Sequence, residues 1–469
     1  MSQDVAPKKS QRAVCFESIG ASTFDEAMTA RADRQTDATC MLRFDLKLIT
    51  PMMGGGVSKA CVNELKPIRE SEVKHHLRWW WRRLARYGLL PEVDGKRPDS
   101  LSRSALYEAE RKRFGGVESK DKTTPSQVRV WIEITKEGGM WSPNQFPHAR
   151  YAWFPLIRTQ YEATLLLGVE FTVFVECEPD FRNEISEAAR WWINFGGVGA
   201  RNNRGMGSLQ PTNVEQPYSL VGEDEAAQCG MQLKVDVTKG VTSNDAVRCW
   251  SQAIDWMRRY RQGHDPNDPR LKFNTSGSPL TAGIGDAVRP AGVLTSQYRP
   301  GRSRWPDANS VRKIFGIPGS VAYQHIANSY APSFPKATLG MPVAGAAIKG
   351  SHDGEFSYGS FEISPVNGDR LSSPVRVKAR ATSAGGYEPI AITFLDHRDF
   401  AMQLQAKVSF TVSKNVKFKP LAGSGNYPAW IPMQPFPPPV ELLGGSLATD
   451  PIDGFMRFFG DATKASDFK

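Results

Sequence analysis

The first sustained hydrophobic pattern in the chain begins near residue 41. From Leu42 to Leu48 every second residue is apolar, and the residues between them are charged. Strict alternation over this length is typical of a half-buried β-strand. Thr50-Pro51 and the three glycines at 54–56 predict that the strand ends in a loop.

A helical pattern follows, from Ser71 to about Tyr87. Its apolar side chains recur at spacings of three and four residues, so they would form one buried face: Val73, Leu77, Trp80, Trp81 and Leu84. Ser71 is the predicted N-cap, and Gly88 lies just beyond the end of the helix.

The elements that follow predict an α+β fold. Strands are indicated at residues 128–134, 151–157 and 162–176, and a second helix at about 184–194 runs into a glycine-rich stretch, residues 195–207. Strand, helix, strands, helix, glycine-rich turn and strand is the order of the split βαβ, or ferredoxin-like, layout. RNA-recognition domains use the same layout.

Four segments are predicted along the chain. Residues 1–39 are polar and lack an apolar period, which predicts a loosely ordered extension. A first unit covers 40–217, a second covers 229–420, and a Pro/Gly-rich tail covers 421–469.

The second unit has its own predicted strands, near 231–237, 375–381, 389–395 and 405–412, and a helix at about 245–261. Both units have a similar plan, so an internal duplication is a suggestion. Residues 88–127 and 265–340 look like insertions.

Composition narrows the class of protein. Lys and Arg number 59 against 49 Asp and Glu, which gives a formal net charge of +10 and a pI near 9.2. This balance favours a polyanionic partner. The six cysteines form no CxxC pair, so they indicate a reducing compartment and neither a disulfide framework nor a zinc site. No secretory or membrane-spanning segment is indicated. We expect a cytoplasmic protein with no cofactor and no metal site.

The helix at 71–87 carries a row of basic residues. Lys74, Arg78, Arg82 and Arg86 lie four residues apart, so their charges form one stripe roughly 18 Å long. A row of RNA phosphates would complement such a stripe. The alternative is a solvated basic face whose aliphatic stems cover the tryptophans.

The glycine-rich loop, residues 195–207, is the second candidate site. It has five glycines, which let the backbone reach positive φ and approach a ligand closely. Its N–H groups could cradle a phosphate that Arg201 and Arg204 clamp. The alternative is a tight turn against the sheet with solvated arginines. No Walker A pattern occurs in the sequence, so a nucleotide triphosphatase is not indicated.

Several short motifs occur in a familiar order. In the first unit they are Leu48-Ile49-Thr50-Pro51 with its glycines, Pro67-Ile68-Arg69, Leu77-Arg78-Trp79-Trp80-Trp81-Arg82 and the glycine-rich loop. In the second unit they are Ser303-Arg304-Trp305-Pro306-Asp307 with Val311-Arg312-Lys313, Leu339-Gly340-Met341-Pro342 and Ser373-Pro374-Val375. With these motifs, residues 41–400 resemble the RAMP-superfamily subunit of the type III-B CRISPR Cmr complex that sits near the 3′ end of the guide RNA. Asn202-Asn203 departs from the more basic pair expected there.

The resemblance implies two ferredoxin-like (RRM-like) RAMP domains with insertions. It implies a non-catalytic, RNA-binding subunit in antiviral defence, with CRISPR guide RNA, target RNA and other RAMP subunits as partners and no membrane. Target cleavage would belong to another subunit. Candidate RNA-binding residues lie on the helix, the loop and the basic stretch of the second unit: Lys59, Arg69, Lys74, His75, Arg78, Trp79, Arg82, Gly197, Gly199, Arg201, Asn202, Arg204, Arg302 and Arg304. Trp79, off the main apolar face, would stack on a base or pack at a domain interface.

A metal-independent RNA endonuclease of the same family is the alternative function. Some family nucleases use a histidine of the first helix as a general acid or base, and His75 occupies such a position beside Lys74 and Arg78. The simpler interpretation is that His75 continues the RNA-facing side and His76 packs at the edge of the apolar face. No HExxH, GxSxG or Cys-His signature is present, so no catalytic residue is assigned.

Overall fold

The computed structural model describes most of the two predicted units. The described residues are 39–54, 62–63, 66–90, 102–119, 122–142, 147–153, 165–213, 219–236, 244–262, 307–316, 332, 334–349, 357–412, 424–429 and 450–460. Residues 1–38 of the predicted extension and the proline run at 435–439 lie outside them.

Helices and strands are interspersed along the chain. The helices are α1 (Glu70–Arg86), α2 (Arg103–Phe114), α3 (Arg182–Phe195), α4 (Glu223–Gln228), α5 (Ala246–Gln262), α6 (Asp307–Ile314), α7 (Leu395–Gln403) and α8 (Pro451–Phe458). The strands are β1 (Cys40–Leu48), β2 (Gly116–Ser119), β3 (Lys122–Thr124), β4 (Arg129–Lys136), β5 (Gly139–Met140), β6 (Leu166–Leu167), β7 (Glu170–Cys177), β8 (Leu209–Pro211), β9 (Met231–Val235), β10 (Val343–Lys349), β11 (Ser357–Pro365), β12 (Val375–Ala381), β13 (Tyr387–Phe394), β14 (Gln405–Val412) and β15 (Ser424–Pro428).

The first unit has a ferredoxin-like topology. Its antiparallel sheet has the order β4-β7-β1-β8, so the central β1 lies between the third and fourth main strands of the unit. α1 packs against α3 and β4, and α3 packs against β1 and β8. Because α1 and α3 connect these strands in a β-α-β-β-α-β order, the predicted fold class is confirmed by the strand order itself.

The second unit repeats part of that plan. β9, β12 and β13 form an antiparallel sheet of order β12-β13-β9, and α5 packs against β12 and β13. A separate antiparallel sheet, β10-β11-β14-β15, is contributed by two excursions of the chain, one before β12 and one after β13. This inserted sheet has its own small core, which includes Phe334, Ile363 and Val408.

The two units share a continuous core. Trp80 and Trp81 of α1 are buried in the same cluster as Ile390, Ile392 and Phe394 of β13. Shared burial of this kind removes large apolar surfaces from water on both sides of the junction, so the units stabilise each other.

The structure corrects three local predictions. Ser71 does not cap α1: Arg69 occupies the N-cap, and Glu70 and Glu72 in the first turn supply negative charge to the helix N-terminus. The strand predicted at 151–157 is wrong at its start, because Pro147–Ala152 is a 3-10 helix. The predicted tail contains β15 and the buried residues of α8, whose Phe455 and Phe458 pack on Tyr260.

Over the described ranges, no helix combines the length and the apolar character that a membrane span needs.

Candidate nucleic-acid interface

The glycine-rich loop is held by the chain segment that follows β1. The Thr50 hydroxyl donates to the Gly205 carbonyl at 2.7 Å and accepts from the Ser208 N–H at 2.8 Å. The Ala200 N–H donates to the Met53 carbonyl at 2.6 Å. The Thr50 motif and the loop, predicted as separate features, therefore form one hydrogen-bonded structure.

Two glycines of the loop serve close backbone packing. A Cβ at Gly197 would lie 2.6 Å from the Gly207 carbonyl oxygen, and Gly197 is buried. Gly199 has φ +78, and a Cβ there would lie 2.6 Å from the Met53 carbonyl oxygen. The Gly199 N–H donates to the Glu72 carboxylate at the start of α1. A phosphate that used this amide would have to displace Glu72, so contact through side chains is the simpler arrangement.

Arg201 and Arg204 flank a single 3-10 turn in the loop. Arg201 is the one non-glycine residue with positive φ in the described part of the chain, at φ 68 and ψ 27. The Arg204 carbonyl accepts from the Trp250 indole N–H of α5 at 2.6 Å. A Cβ at Gly205 would lie 2.5 Å from the Val377 carbonyl oxygen, so the turn is wedged against the second unit.

Neither loop arginine has a carboxylate partner within the described ranges. Both side chains are partly buried, and burial lowers both pKa values. For Arg204, burial and the nearby Arg261 lower the pKa to about 10. The loop therefore presents two positive charges that no described acid neutralises.

The basic stripe of α1 is paired with an acid. Arg78 and Arg82 both donate to the carboxylate of Glu110 in α2. The Glu110 side chain is 2% exposed. These hydrogen bonds and charges outweigh the effect of burial and hold the pKa of Glu110 below its usual value. The predicted solvent-facing row is thus partly covered by α2, although two arginines opposite one carboxylate leave a net positive charge.

The stripe's other members also have partners. The Lys74 ammonium donates to the Ser126 hydroxyl at 2.6 Å, and burial together with Arg78 lowers the pKa of Lys74. Arg86 is 60% exposed and forms an ion pair with Asp396 at 3.3 Å. α1 and the loop nevertheless lie side by side, because Glu72 bonds to Gly199 and His76 stacks on Trp192 at 6.0 Å between ring centres.

Comparisons with known proteins identify this arrangement. A model of the RAMP superfamily matches residues 45–210, which extend from β1 through the glycine-rich loop to β8. Residues 45–210 are therefore similar to RAMP-superfamily domains, and this segment is called the RAMP domain below.

One curated relative and two solved structures are also similar to this chain. The Cmr subunit Cmr1-2 of the CRISPR system of Pyrococcus furiosus is 27% identical over 191 residues, which are 36% of this chain and 92% of the relative. The apo crystal structure of Cmr1 from Pyrococcus furiosus aligns over 76% of this chain and 88% of its own, with 13% identity and a TM-score of 0.41. A type III-B Cmr-beta chain, from a complex bound to cognate target RNA and AMPPnP, aligns over 77% and 99% with 10% identity and a TM-score of 0.38. The predicted resemblance to RAMP subunits of Cmr complexes is confirmed.

Trp79 packs where the RAMP domain meets the second unit. Its ring meets that of Phe394 edge-on at 5.3 Å, and the Arg376 guanidinium lies 5.2 Å from its centre. The interface alternative predicted for this residue is therefore the one that the structure shows.

His75 is exposed on α1, next to the paired arginines. Burial, His76, Arg82 and Arg78 lower its pKa below 6.5, in that order of importance, and Glu72 acts weakly in the other direction. The imidazole is therefore neutral near pH 7.

The remaining predicted residues are scattered. Arg69 is exposed at the start of α1, and Asn202 is partly buried, with its side-chain N–H directed at the Gly197 carbonyl at 3.4 Å. Lys59, Arg302 and Arg304 lie outside the described residues.

Three basic or phenolic residues near the loop were not predicted. Tyr151 precedes β6, Arg261 ends α5, and Lys336 lies in the 3-10 helix Pro335–Leu339. All three act electrostatically on one another or on Arg204. They come from distant parts of the sequence and share no local motif, so only the folded chain reveals them.

Proposed function

We propose that this chain is a non-catalytic RNA-binding subunit of a type III-B CRISPR ribonucleoprotein. In this role it contacts the guide RNA near its 3′ end, and target RNA, in antiviral defence. Its partners are other RAMP subunits of the effector complex, in the cytoplasm.

The family and the charge support this proposal. The chain carries a RAMP domain, and the curated relative is a Cmr subunit. A formal net charge of +10 suits a polyanionic partner.

The observation that carries the proposal is the unpaired charge on the glycine-rich loop. The backbone of Arg201 and Arg204 is held in a turn that hydrogen-bonds to Thr50 and Trp250, so little backbone freedom is lost when a ligand binds. Guanidinium groups suit phosphate oxygens, because their planar N–H donors can bind two oxygens at once.

Filter binding to single-stranded RNA tests this proposal. The variant Arg201→Ala/Arg204→Ala should bind RNA more weakly, irrespective of RNA sequence. Two phosphate contacts predict roughly a sevenfold loss of affinity between about 50 and 200 mM salt, and the variant should lose that dependence. Arg129→Ala is the control, because Arg129 is exposed and paired with Glu176 on the sheet. Wild-type binding without salt dependence would contradict the proposal.

The position at the guide 3′ end has its own test. Purification of the effector complex from its host, followed by crosslinking and sequencing of the RNA attached to this chain, should recover guide 3′ regions. Crosslinks confined to the 5′ end would place the subunit elsewhere.

One observation favours the nuclease alternative: His75 is exposed beside Arg78 and Arg82. A neutral imidazole could accept a proton, and the arginines could stabilise a charged phosphate. However, both arginines are engaged by Glu110, and a histidine with a lowered pKa is a poor proton donor near pH 7. Incubation with labelled repeat RNA and EDTA should give no specific product. Cleavage that His75→Ala abolishes would establish the nuclease.

A further inference from the structure

Four basic side chains meet around Tyr151 where the RAMP domain contacts the second unit. Arg201 and Arg204 come from the glycine-rich loop, Arg261 from the last turn of α5, and Lys336 from the second unit's 3-10 helix. These five residues are called the Tyr151 cluster below. All five are partly buried, so each keeps some contact with solvent.

The packing of several elements brings the cluster together. α5 packs along the 3-10 helix Pro147–Ala152 that carries Tyr151, and the loop's 3-10 turn packs on β12. The Arg204 guanidinium lies 6.0 Å from the centre of the Tyr151 ring. Arg261 donates to the Leu339 carbonyl and also hydrogen-bonds Tyr151. The positions are therefore set by the fold on both sides of the junction.

The electrostatics of Tyr151 report the local excess of positive charge. Burial raises the pKa of its phenol, but Arg261, Arg204 and Lys336 together outweigh burial and bring the pKa below its ordinary value of 10.0. Burial and Arg261 also lower the pKa of Lys336. Each cation of the cluster thus makes its neighbours harder to keep charged.

Other partly or fully buried arginines show how the fold treats such charges elsewhere. Six of them have a carboxylate partner: Arg83 with Asp396, Arg113 with Glu184, Arg190 with Glu225, Arg258 with Asp255, Arg380 with Glu388 and Arg398 with Asp450. Arg376 instead lies over the aromatic rings of Trp79 and Phe394. In the described ranges, the basic residues of the Tyr151 cluster form no ion pair. The Arg204 Nη1 and the Arg261 Nε are buried and have no hydrogen-bond acceptor there.

Asp307 is a described acid that acts on the Tyr151 cluster, and it offsets little of the cluster's positive charge. Its Oδ2 accepts from the Lys336 backbone N–H at 3.3 Å, and burial raises its pKa to about 7. A carboxyl group that is half protonated at neutral pH cannot balance four cations.

We propose that the Tyr151 cluster binds a phosphate group at the junction of the RAMP domain and the second unit. Uncompensated charge and orphaned N–H donors are costly in a partly buried site, and an anion with several acceptor oxygens relieves both costs. Phosphate fits better than a carboxylate, because its tetrahedral oxygens can accept from two guanidinium forks, an ammonium and a phenol at once.

The phosphate belongs to the RNA backbone, an assignment that rests on the proposed function. Arg370 is exposed and acts electrostatically on Arg201, so positive charge continues from the cluster towards the surface. A strand that crosses the loop would therefore place one phosphate in the cluster and the next towards Arg370.

Inorganic phosphate tests the anion site without reference to RNA. In the full chain, exchange of chloride for phosphate at constant ionic strength should raise the melting temperature by roughly 1–2 °C at about ten times Kd. Lys336→Met and Arg261→Gln should each lose most of that rise, and Arg129→Gln should keep it. Two single variants are used, so that a folding defect in one of them cannot by itself explain the lost response to phosphate. A wild-type melting temperature that phosphate leaves unchanged would overturn the inference, even if RNA binding persists.

Competition separates the two sources of phosphate. If single-stranded RNA abolishes the phosphate-induced rise, and Lys336→Met weakens RNA binding several-fold while Arg129→Gln does not, the RNA backbone is the ligand. If phosphate still binds in the presence of saturating RNA, the RNA assignment is wrong and the site takes a free phosphate compound. Failure of wild-type protein to bind RNA at all would refute the proposed function and leave the phosphate result standing.

Discussion

Two concentrations of basic residues lie near the glycine-rich loop, and they differ in what lies opposite them. On α1, Arg78 and Arg82 share Glu110, and Arg86 pairs with Asp396. In the Tyr151 cluster, four cations have no carboxylate partner among the residues described. The helix is the more basic of the two in sequence, but the loop and its neighbours hold the more available charge.

The number of basic residues in a segment therefore does not tell how much positive charge is available to an anionic ligand. A guanidinium that is already bonded to a buried carboxylate contributes to stability, and a ligand must compete for it. A guanidinium that lacks such a partner destabilises the unliganded protein and is available to an anion. Removal of a paired arginine should therefore cost more stability than removal of an unpaired one.

The largest expected effect is loss of stability on the paired side. Arg78→Ala/Arg82→Ala would leave the Glu110 carboxylate buried without a partner, and this should lower the unfolding free energy by about 3 kcal/mol. Urea denaturation measures it. Addition of Glu110→Gln to the double variant should restore most of the loss. Unchanged stability in the double variant would mean that α2 does not depend on these ion pairs.

The next effect concerns Asp307 beside the unpaired cluster. Its folded pKa of about 7 lies above the ordinary 3.8, so the unfolded chain releases this proton first and stability falls as pH rises from about 4 to 7. Asp307→Asn should remove that fall in stability and raise the unfolding free energy by on the order of 2 kcal/mol at pH 7. Melting curves between pH 5 and 7 check this. A parallel pH dependence in both proteins would show that Asp307 ionises normally.

A smaller loss is expected where uncharged hydrogen bonds hold the loop. Thr50 is fully buried, and Thr50→Val removes its bonds to Gly205 and Ser208 at a cost of about 1.5 kcal/mol. The phosphate-induced rise in melting temperature should fall as well, because the arginine turn loses its support. Thr172→Val is a matched control that removes a bond to Asp45 between two strands of the sheet and none to the loop. It should cost stability and keep the phosphate response.

The smallest change in stability is expected at Arg201. Its left-handed backbone favours glycine, although glycine also makes the unfolded chain more flexible. Arg201→Gly should therefore leave the unfolding free energy within about 1 kcal/mol of wild type. RNA affinity should fall in the glycine variant and largely recover in Arg201→Lys. Equal RNA affinity in all three proteins would remove Arg201 from the interface.

Local patterns predicted the elements whose burial follows a simple period. β1, α1 and α3 were found from alternation or helical spacing, and their order gave the ferredoxin-like layout. The loop and the Thr50 turn were also recognised, since glycine and proline constrain the backbone directly. In each case the information lies within about twenty neighbouring residues.

Contacts between distant segments could not be predicted in this way. Glu110 lies in an insertion, and only the docking of α2 places it opposite Arg78 and Arg82. The same holds for Tyr151, whose apolar surroundings suggested a strand, and for α8, whose phenylalanines pack on an α5 tyrosine nearly two hundred residues earlier. Sequence spacing identified the basic stripe correctly but not the acid that neutralises part of it.

Met206 belongs to the RAMP domain's loop by sequence, but it is fully buried in the core that contains Trp153 and Trp250. A hinge motion between the units would have to extract this side chain and break the indole bond to Arg204. The molecule is therefore unsuited to opening and closing at this junction. Excision of the RAMP domain alone would free the arginine turn, so isolated fragments would misrepresent how the intact chain meets a ligand.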